Sequence, residues 1–299
     1  MSRSRRSALV RTVVAATAAV GSLLAAGCSS SPAHPSGTTL KAGAPLHSLL
    51  PKAIADKGTI DVASDIEYPP FESYAADNTT VQGIDRELAD AFETQFGVKL
   101  VFHNTAFDAI IPGLVAGRYD MAMSAMSDTP TRQKQVDFVD YFKAGGGIML
   151  AKGNPQNITT LDDLCGKKVA IDKGTTEEQD GQAQSTKCQS QGKQPLDIAI
   201  YPGQNQMVLA LQSGRADAAL LDSTAGSYVA KQTGQFTMLA PYQAGFFGIV
   251  FPKGATQLEQ AFAKALAAIS KDGTYRQILA KFGEDTGAID SFTINGATS

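Results

Sequence analysis

Tryptophan is absent from the 299 residues, and histidine and cysteine each occur only three times. Each shortage closes off a class of chemistry. His34, His47 and His103 stand apart, and no Ser-His-Asp or Cys-His arrangement is visible around them, which argues against the usual nucleophilic hydrolases. Cys165 and Cys188 have no nearby His, a poor set for zinc, so neither metal nor cofactor is expected. Beyond the N-terminus no apolar run approaches the ~20 residues that span a bilayer. Basic runs are also missing. The formal charge is −3, and without residues 1–27 it falls to −7, 22 bases against 29 acids. An acidic chain of this kind is a poor partner for nucleic acid or anionic lipid.

What is present begins with an export signature. Arg3, Arg5, Arg6 and Arg11 precede a short Ala-rich apolar run that ends Leu24-Ala25-Ala26-Gly27-Cys28. A basic start, a short apolar core and small residues describe a cleaved signal over residues 1–27. The end of the run resembles a bacterial lipobox, with Leu24 one place further from the cysteine than usual. Cys28 is therefore expected to be acylated. The alternative is a plain secretory signal with an incidental cysteine. Residues 28–57 read as tether and lead-in, because the Ser/Pro/Gly-rich stretch 29–39 has too little apolar surface to offset its ordering entropy. An exported chain meets an oxidising compartment, so Cys165 and Cys188 are expected to pair; two buried free thiols are the alternative.

From about residue 58 strand and helix patterns alternate. Thr59–Ala63, Lys99–Phe102, Asp120–Ser124, Lys168–Ile171, Leu196–Tyr201, Ala216–Leu221 and Phe246–Phe251 read as strands. Between Gly83 and Phe96, the residues Ile84, Leu88, Ala91, Phe92 and Phe96 share one helical face, closed by Gly97. Thr129-Pro130 has the form of a helix start, Thr as cap and Pro at the first position. This alternation predicts an α/β fold with mostly parallel sheets flanked by helices. Ligands of such folds lie beyond the carboxyl ends of the strands. The loops to search are then Asp65–Phe71, Ser124–Arg132, Gly174–Thr176 and Asp222.

Those loops carry complementary chemistry. Arg132, in the expected first turn of a helix, offers a two-pronged donor for a carboxylate; a solvated surface arginine is the alternative. Asp222, ending the apolar run Ala218–Leu221, suits an ammonium group; a helix cap is the alternative. Tyr68 and Phe107 offer aromatic walls, while Phe71 reads as core. Anion clamp, cation partner and aromatic walls together describe a site for a zwitterion.

The motifs Tyr68-Pro69-Pro70-Phe71-Glu72, Gly83-Ile84-Asp85, Ala109–Leu114, Thr129-Pro130-Thr131-Arg132, Val136-Asp137-Phe138, Gly174-Thr175-Thr176, Gly214–Ala218 and Phe251–Gly254 resemble, in order and over roughly residues 58–285, the solute-binding proteins of polar amino-acid ABC importers, the extracellular solute-binding protein family 3. The resemblance implies the type II periplasmic-binding-protein fold: lobe 1 over 58–145 plus 246–290, lobe 2 with its hinge over 146–245, and a C-terminal tail over 291–299. Two crossover strands near Gly145–Gly147 and Gly245–Phe247 would serve as hinge. By position, Arg132 would grip the ligand's α-carboxylate, with Ser124, Ser127 and the backbone of Ala125 beside it and Thr176 donating from lobe 2. Asp222 would take the α-ammonium, Tyr68 and Phe107 would flank the side chain, and Asp65 would lie near its far end. Three departures stand out. Ala125 replaces a hydroxyl or glycine, Asp128 replaces an apolar residue, and Arg86, also in place of an apolar residue, implies a more exposed helix face.

The resemblance implies a monomeric, lipid-anchored protein on the outer face of the cytoplasmic membrane that closes on an amino-acid-like ligand and delivers it to a membrane permease. Asp65, Glu67, Asp128 and Asp172 could all reach the side-chain end of the cleft. Excess negative charge there would favour a cationic side chain such as that of arginine, lysine or ornithine. A neutral polar ligand such as glutamine is the competing expectation, each acid then capping a helix or facing water. Two further readings are a dehydratase-like enzyme on the same fold and a ligand-presenting sensor module.

Overall fold

The computed structural model describes residues 43–297. Residues 1–27, expected to be the export signal, Cys28 and the Ser/Pro-rich stretch 29–39 lie outside the described residues. The lead-in that follows is packed. Leu46 N–H donates to Gln95 O at 2.8 Å, His47 Nδ1 lies 2.7 Å from Phe96 O, and Leu50 is buried in the core.

Helix α1 (Lys52–Lys57) ends at Gly58 and feeds strand β1 (Thr59–Ser64). Three short strands, β2 (Glu67–Tyr68), β3 (Glu72–Tyr74) and β4 (Val81–Gln82), form a small antiparallel sheet. Helix α2 (Ile84–Phe96) follows because Ile84, Leu88, Phe92 and Phe96 recur at helical spacing and are fully buried. Gly83 precedes it at φ +124°, where an added Cβ would lie 2.2 Å from Phe71 O, so only glycine fits this entry. Then come β5 (Lys99–Asn104), α3 (Phe107–Val115), β6 (Met121–Ser127) and β7 (Val136–Ala144). The chain crosses at Gly145 into β8 (Gly146–Ala151), β9 (Lys168–Asp172), α4 (Thr176–Ser190), β10 (Asp197–Tyr201), α5 (Gln204–Gln212), β11 (Ala218–Asp222), α6 (Ser223–Thr233) and β12 (Phe236–Met238). It returns through β13 (Gly245–Pro252) and ends in α7 (Thr256–Lys271) and α8 (Thr274–Phe282).

The strands build two five-stranded sheets, β5-β1-β6-β13-β7 and β10-β9-β11-β8-β12. Each is mixed. The first three strands in each order pair in parallel, and the crossover strands add the antiparallel pairs: β13 runs against β6 and β7, and β8 against β11 and β12. The alternation predicts the α/β layers and the resemblance the two lobes; the sheets are mixed rather than mostly parallel because the crossover strands enter against their neighbours, and the carboxyl ends of β1, β6, β9 and β11 turn to one cleft.

Each sheet has its own core. Phe71 is fully buried, as expected, with edge-on contacts to Phe142 and Phe247 at 5.1 Å. Burial of such a ring is worth about 2–3 kcal/mol. Ile148, Leu150, Val169 and Ile171 fill one face of the second sheet; Met149, Met207 and Leu211 fill the other. Cys165 and Cys188 form a disulfide with Cα atoms 5.7 Å apart. It ties α4 to the 3-10 turn Leu161–Leu164, which the capping box of Thr160 and Asp163 opens.

Two local expectations change. Thr129-Pro130 does not open a helix: only a 3-10 turn, Arg132–Lys134, fits before β7 begins at Val136. A single turn carries little macrodipole, so Arg132 must act through its guanidinium. Arg86 is not on an exposed face. It lies 4.9 Å over the Phe102 ring and donates to Leu100 O, Asp90 and Glu93, which lets an arginine occupy an apolar position.

The end of the chain is stitched to β7. Ile294 bridges Val139, Asn295 N–H donates to Phe138 O at 3.0 Å, and Asp140 N–H donates to Thr293 O at 2.9 Å. No described helix is long and apolar enough to cross a membrane.

Candidate functional site

The strand ends close on a narrow pocket lined by Asp65, Tyr68, Phe107, Ser124, Ala125, Ser127, Arg132, Asp172, Thr175, Thr176, Glu177 and Asp222. All nine residues singled out in the sequence lie on its wall. They reach it from both sheets, 65–132 from the first and 176 and 222 from the second.

At one end Arg132 is 6% exposed, which rules out a solvated surface arginine. Its Nη1 donates to Ser127 O at 2.8 Å and its Nη2 to Gly174 O at 3.0 Å, one partner from each side of the cleft. Its carbon Cζ lies 5.4 Å from the Phe107 ring centroid, within cation–π range. Two of the five guanidinium N–H donors are spent on these carbonyls, and the rest remain for a ligand. Gly174 has φ +79°, and an added Cβ would sit 3.0 Å from Asp108 Cβ; close approach of the lobes thus needs glycine there.

The wall between the ends is built by β6. Ser124 Oγ accepts from Asp65 N–H at 2.9 Å and donates to Glu72 Oε1 at 3.0 Å. Glu72 and Asp85 are wholly buried behind it, and Tyr141 donates to Asp85 at 2.7 Å. Burial, with Asp85 beside it, pushes the Glu72 carboxyl well up; burial raises Asp85 to about 7. Ala125 sits at φ +43°, a left-handed conformation that costs a residue with a Cβ.

Asp222 stands at the N-cap position of α6 but its side chain caps nothing. It accepts from the Tyr68 hydroxyl at 2.7 Å instead. Its carboxyl is pushed up by burial and by neighbouring Glu177, and pulled back by Tyr68 and Arg132. Glu177 was not singled out in the sequence. It is 2% exposed and accepts from Thr176 Oγ1 at 3.0 Å, while its Oε1 has no partner among the described residues. It follows the N-cap Thr175, whose Oγ1 accepts from Glu178 N–H at 3.2 Å; an acid in a first helical turn carried no further signal.

The far end holds Asp65 and Asp172, both buried. Asp65 Oδ2 accepts from Phe107 N–H at 3.2 Å, and burial and Glu67 raise its carboxyl to about 7. The other two acids weighed for this end do not line the cavity. Asp128 turns the other way, accepting from Gln133 Nε2 at 2.8 Å and Ala297 N–H at 3.0 Å, so it braces the chain terminus. Glu67 accepts from Asn205 Nδ2 at 2.7 Å at the rim. That bond, Lys173–Asp108 at 2.8 Å, Tyr68–Asp222 and Arg132–Gly174 all join the first-sheet side to the second, so the cleft is drawn shut. Among the described residues no group of three or more His, Cys, Asp or Glu is placed to hold a metal ion.

The chain is 29% identical over 255 residues to the arginine-binding protein ArgT of Corynebacterium glutamicum, covering 84% of this chain and 82% of the relative. It is 32% identical over 234 residues to the lysine/arginine/ornithine-binding periplasmic protein of Escherichia coli, covering 75% and 87%. Among solved structures, the ancestral amino acid-binding protein AncCDT-1, a precursor of cyclohexadienyl dehydratase, superposes with a TM-score of 0.71 at 32% identity, covering 79% of this chain and 99% of that one. Residues 60–285 match the model of the bacterial extracellular solute-binding proteins, family 3, and the chain belongs to that family.

Proposed function

We propose that this chain is the solute-binding component of an ABC importer and that it captures an amino acid with a cationic side chain, without turning it over. One observation carries the reading: a buried arginine, buried carboxyls and two aromatic rings line one pocket between the two sheets. Arg132 takes the α-carboxylate, flanked by Ser127, the Ala125 backbone and Thr176. Asp222 takes the α-ammonium, Tyr68 and Phe107 enclose the stem, and Asp65 meets the distal group. The names of the arginine- and lysine-binding relatives favour the same ligand class. The two lobes, joined through Gly145 and the strand that starts at Gly245, open to admit the ligand and close around it. The closed form then docks, as a monomer, on a membrane permease. A ligand shifts that equilibrium only through its greater affinity for the closed state. Cys28, acylated after signal cleavage, anchors the protein to the outer face of the cytoplasmic membrane. No cofactor takes part.

Thermal melts of the purified protein with the twenty amino acids, ornithine and citrulline test the reading, with each mixture checked for products. A ligand at 100 times its dissociation constant adds about 2.7 kcal/mol, a rise of roughly 5–10 °C for a domain of this size. Shifts with arginine, lysine or ornithine and no product are expected. A shift confined to neutral or acidic amino acids would remove the cationic ligand and keep the importer. Product formation would replace binding by catalysis.

A further inference from the structure

Asp172 ends β9 and faces the cavity from the second-sheet side, 6% exposed. Its Oδ1 is buried without a partner among the described residues, and the neighbouring Lys173 backbone N–H donates to Tyr201 O at 3.0 Å. Capping does not explain it. The cap of α4 is Thr175, which already serves Glu178 N–H and donates its own hydroxyl to the Asp172 carbonyl at 2.8 Å. Nor does a protein cation. Lys173 is paired with Asp108 at 2.8 Å, and Arg132 is held by Ser127 and Gly174. The other charged groups near Asp172 are Asp65, Glu67 and Asp108, all acids. Asp65 faces it from the first-sheet side of the same cavity.

We propose that Asp172 is a specificity-determining residue: with Asp65 it forms a two-carboxylate claw, one arm from each lobe, that closes on the distal guanidinium or ammonium group of the bound amino acid. The proposal rests on the cationic-ligand reading given above. A buried carboxylate with an unpaired oxygen is costly, and two facing each other cost more. A ligand cation between them removes both penalties. Because the arms belong to different lobes, the claw is complete only when the cleft is shut. The ligand's far end therefore helps to drive closure, beyond its part in filling the pocket. A neutral side chain leaves the two acids without a counter-charge and closes the cleft less firmly. Burial and the nearness of Asp65 raise the Asp172 carboxyl to about 8, as expected of two acids that lack a cation between them.

The test is calorimetric titration of the purified protein with L-arginine and L-glutamine, in wild type, Asp172→Asn, Asp65→Asn and the double variant. Asn keeps the shape and removes the charge. Asp172→Asn should weaken arginine about 30- to 100-fold, as for a buried charge pair that loses one partner, and leave glutamine unchanged or tighter. The double variant should lose less than the two single losses combined. Unchanged arginine affinity in a folded Asp172→Asn protein would overturn the claw and leave the ligand class standing. Equal weakening of both ligands would overturn it too, since the residue would then act on the cleft's shape. If wild type binds glutamine and not arginine, the ligand class falls, and the claw with it.

Discussion

The Tyr68 hydroxyl donates to Asp222 Oδ2 at 2.7 Å, across the cleft from one sheet to the other. The bond occupies a carboxylate that stands at a helix cap position yet caps nothing, so it marks Asp222 as a cleft residue. Asp222→Ala should lower affinity for every α-amino acid at least 100-fold, the scale for removing one partner of a buried charge pair. Tyr68→Phe, which keeps the ring, should cost about 5- to 10-fold, one hydrogen bond to a charged group. Calorimetry reads both. Wild-type affinity in Asp222→Ala would remove it from the site.

Arg132 should behave as the partner of Asp222 at the α-amino-acid end of the site, where the two charges act on each other. Its guanidinium bonds carbonyls on both sides of the cleft, so Arg132→Ala removes the carboxylate clamp and a closure contact together. Binding of cationic and neutral amino acids should be lost alike, with the melting point of the ligand-free protein within a few degrees of wild type. Selective loss of one ligand class would contradict a role at the shared α-carboxylate.

Much of this was readable in the sequence, and the remainder shows where sequence runs out. The strand ends carrying Asp65, Ser124 and Asp222 follow from period and turn residues, because apolar runs bounded by Gly and Pro set them locally. The resemblance supplied the roles. Glu177 gives no signal of its own in the sequence, because a first-turn acid is ordinary in any helix. Asp128 pointed the wrong way because its partner, Ala297, is 169 residues distant. Arg86 was misplaced for a similar reason: its stem lies on Phe102 and its charge meets Glu93, contacts that no helical period encodes.

The chain terminus makes a separate prediction. Ala297 N–H donates to Asp128, Gly296 packs against the Asp140 carboxyl, and Asn295 bonds Phe138 and Asp137. Asp128 and Asp140 are 4% and 2% exposed. Deleting residues 293–299 removes the Ala297 donor from buried Asp128 and the acceptor of the Asp140 N–H, at a cost of about 2–4 kcal/mol. The melting point should fall roughly 5–10 °C. Adding Asp140→Asn to the truncated chain should recover part of the loss, since one member of the pair can then no longer ionise. No change on truncation would mean that water replaces the tail at no cost.

Breaking the disulfide should act on stability and spare the site. Cys165 and Cys188 are separated by 23 residues and join elements of the second sheet's lobe, away from the cavity lining. Loop-closure entropy puts the loss on Cys165→Ser/Cys188→Ser at about 3 kcal/mol. Arginine affinity at 25 °C should stay within twofold of wild type. A large loss of affinity would mean that the bridge positions Thr176 through α4.

The acids at the far end set a pH dependence whose sign can be worked out. Asp65 and Asp172 are raised, by burial first, to about 7 and about 8 from an ordinary value near 3.8. Between pH 4 and 8 the folded, ligand-free protein therefore holds more protons at these groups than the unfolded chain, and their contribution to stability falls as pH rises. Asp85 and Asp140, each raised to about 7, contribute in the same direction. Ligand binding runs the other way. A cation between Asp65 and Asp172 favours the ionised pair, so arginine should bind with release of protons and tighten from pH 6 to 8.5. Each group that must ionise contributes up to about tenfold per pH unit below its pKa. Glu67, Asp108 and Lys173 face the same end; Lys173 is paired with Asp108, which keeps the balance there acidic. Titrations in buffers of different ionisation enthalpy count the protons released. Asp172→Asn should lower that count and flatten the slope. A pH-independent affinity in wild type would mean that both carboxyls are already ionised in the empty cleft.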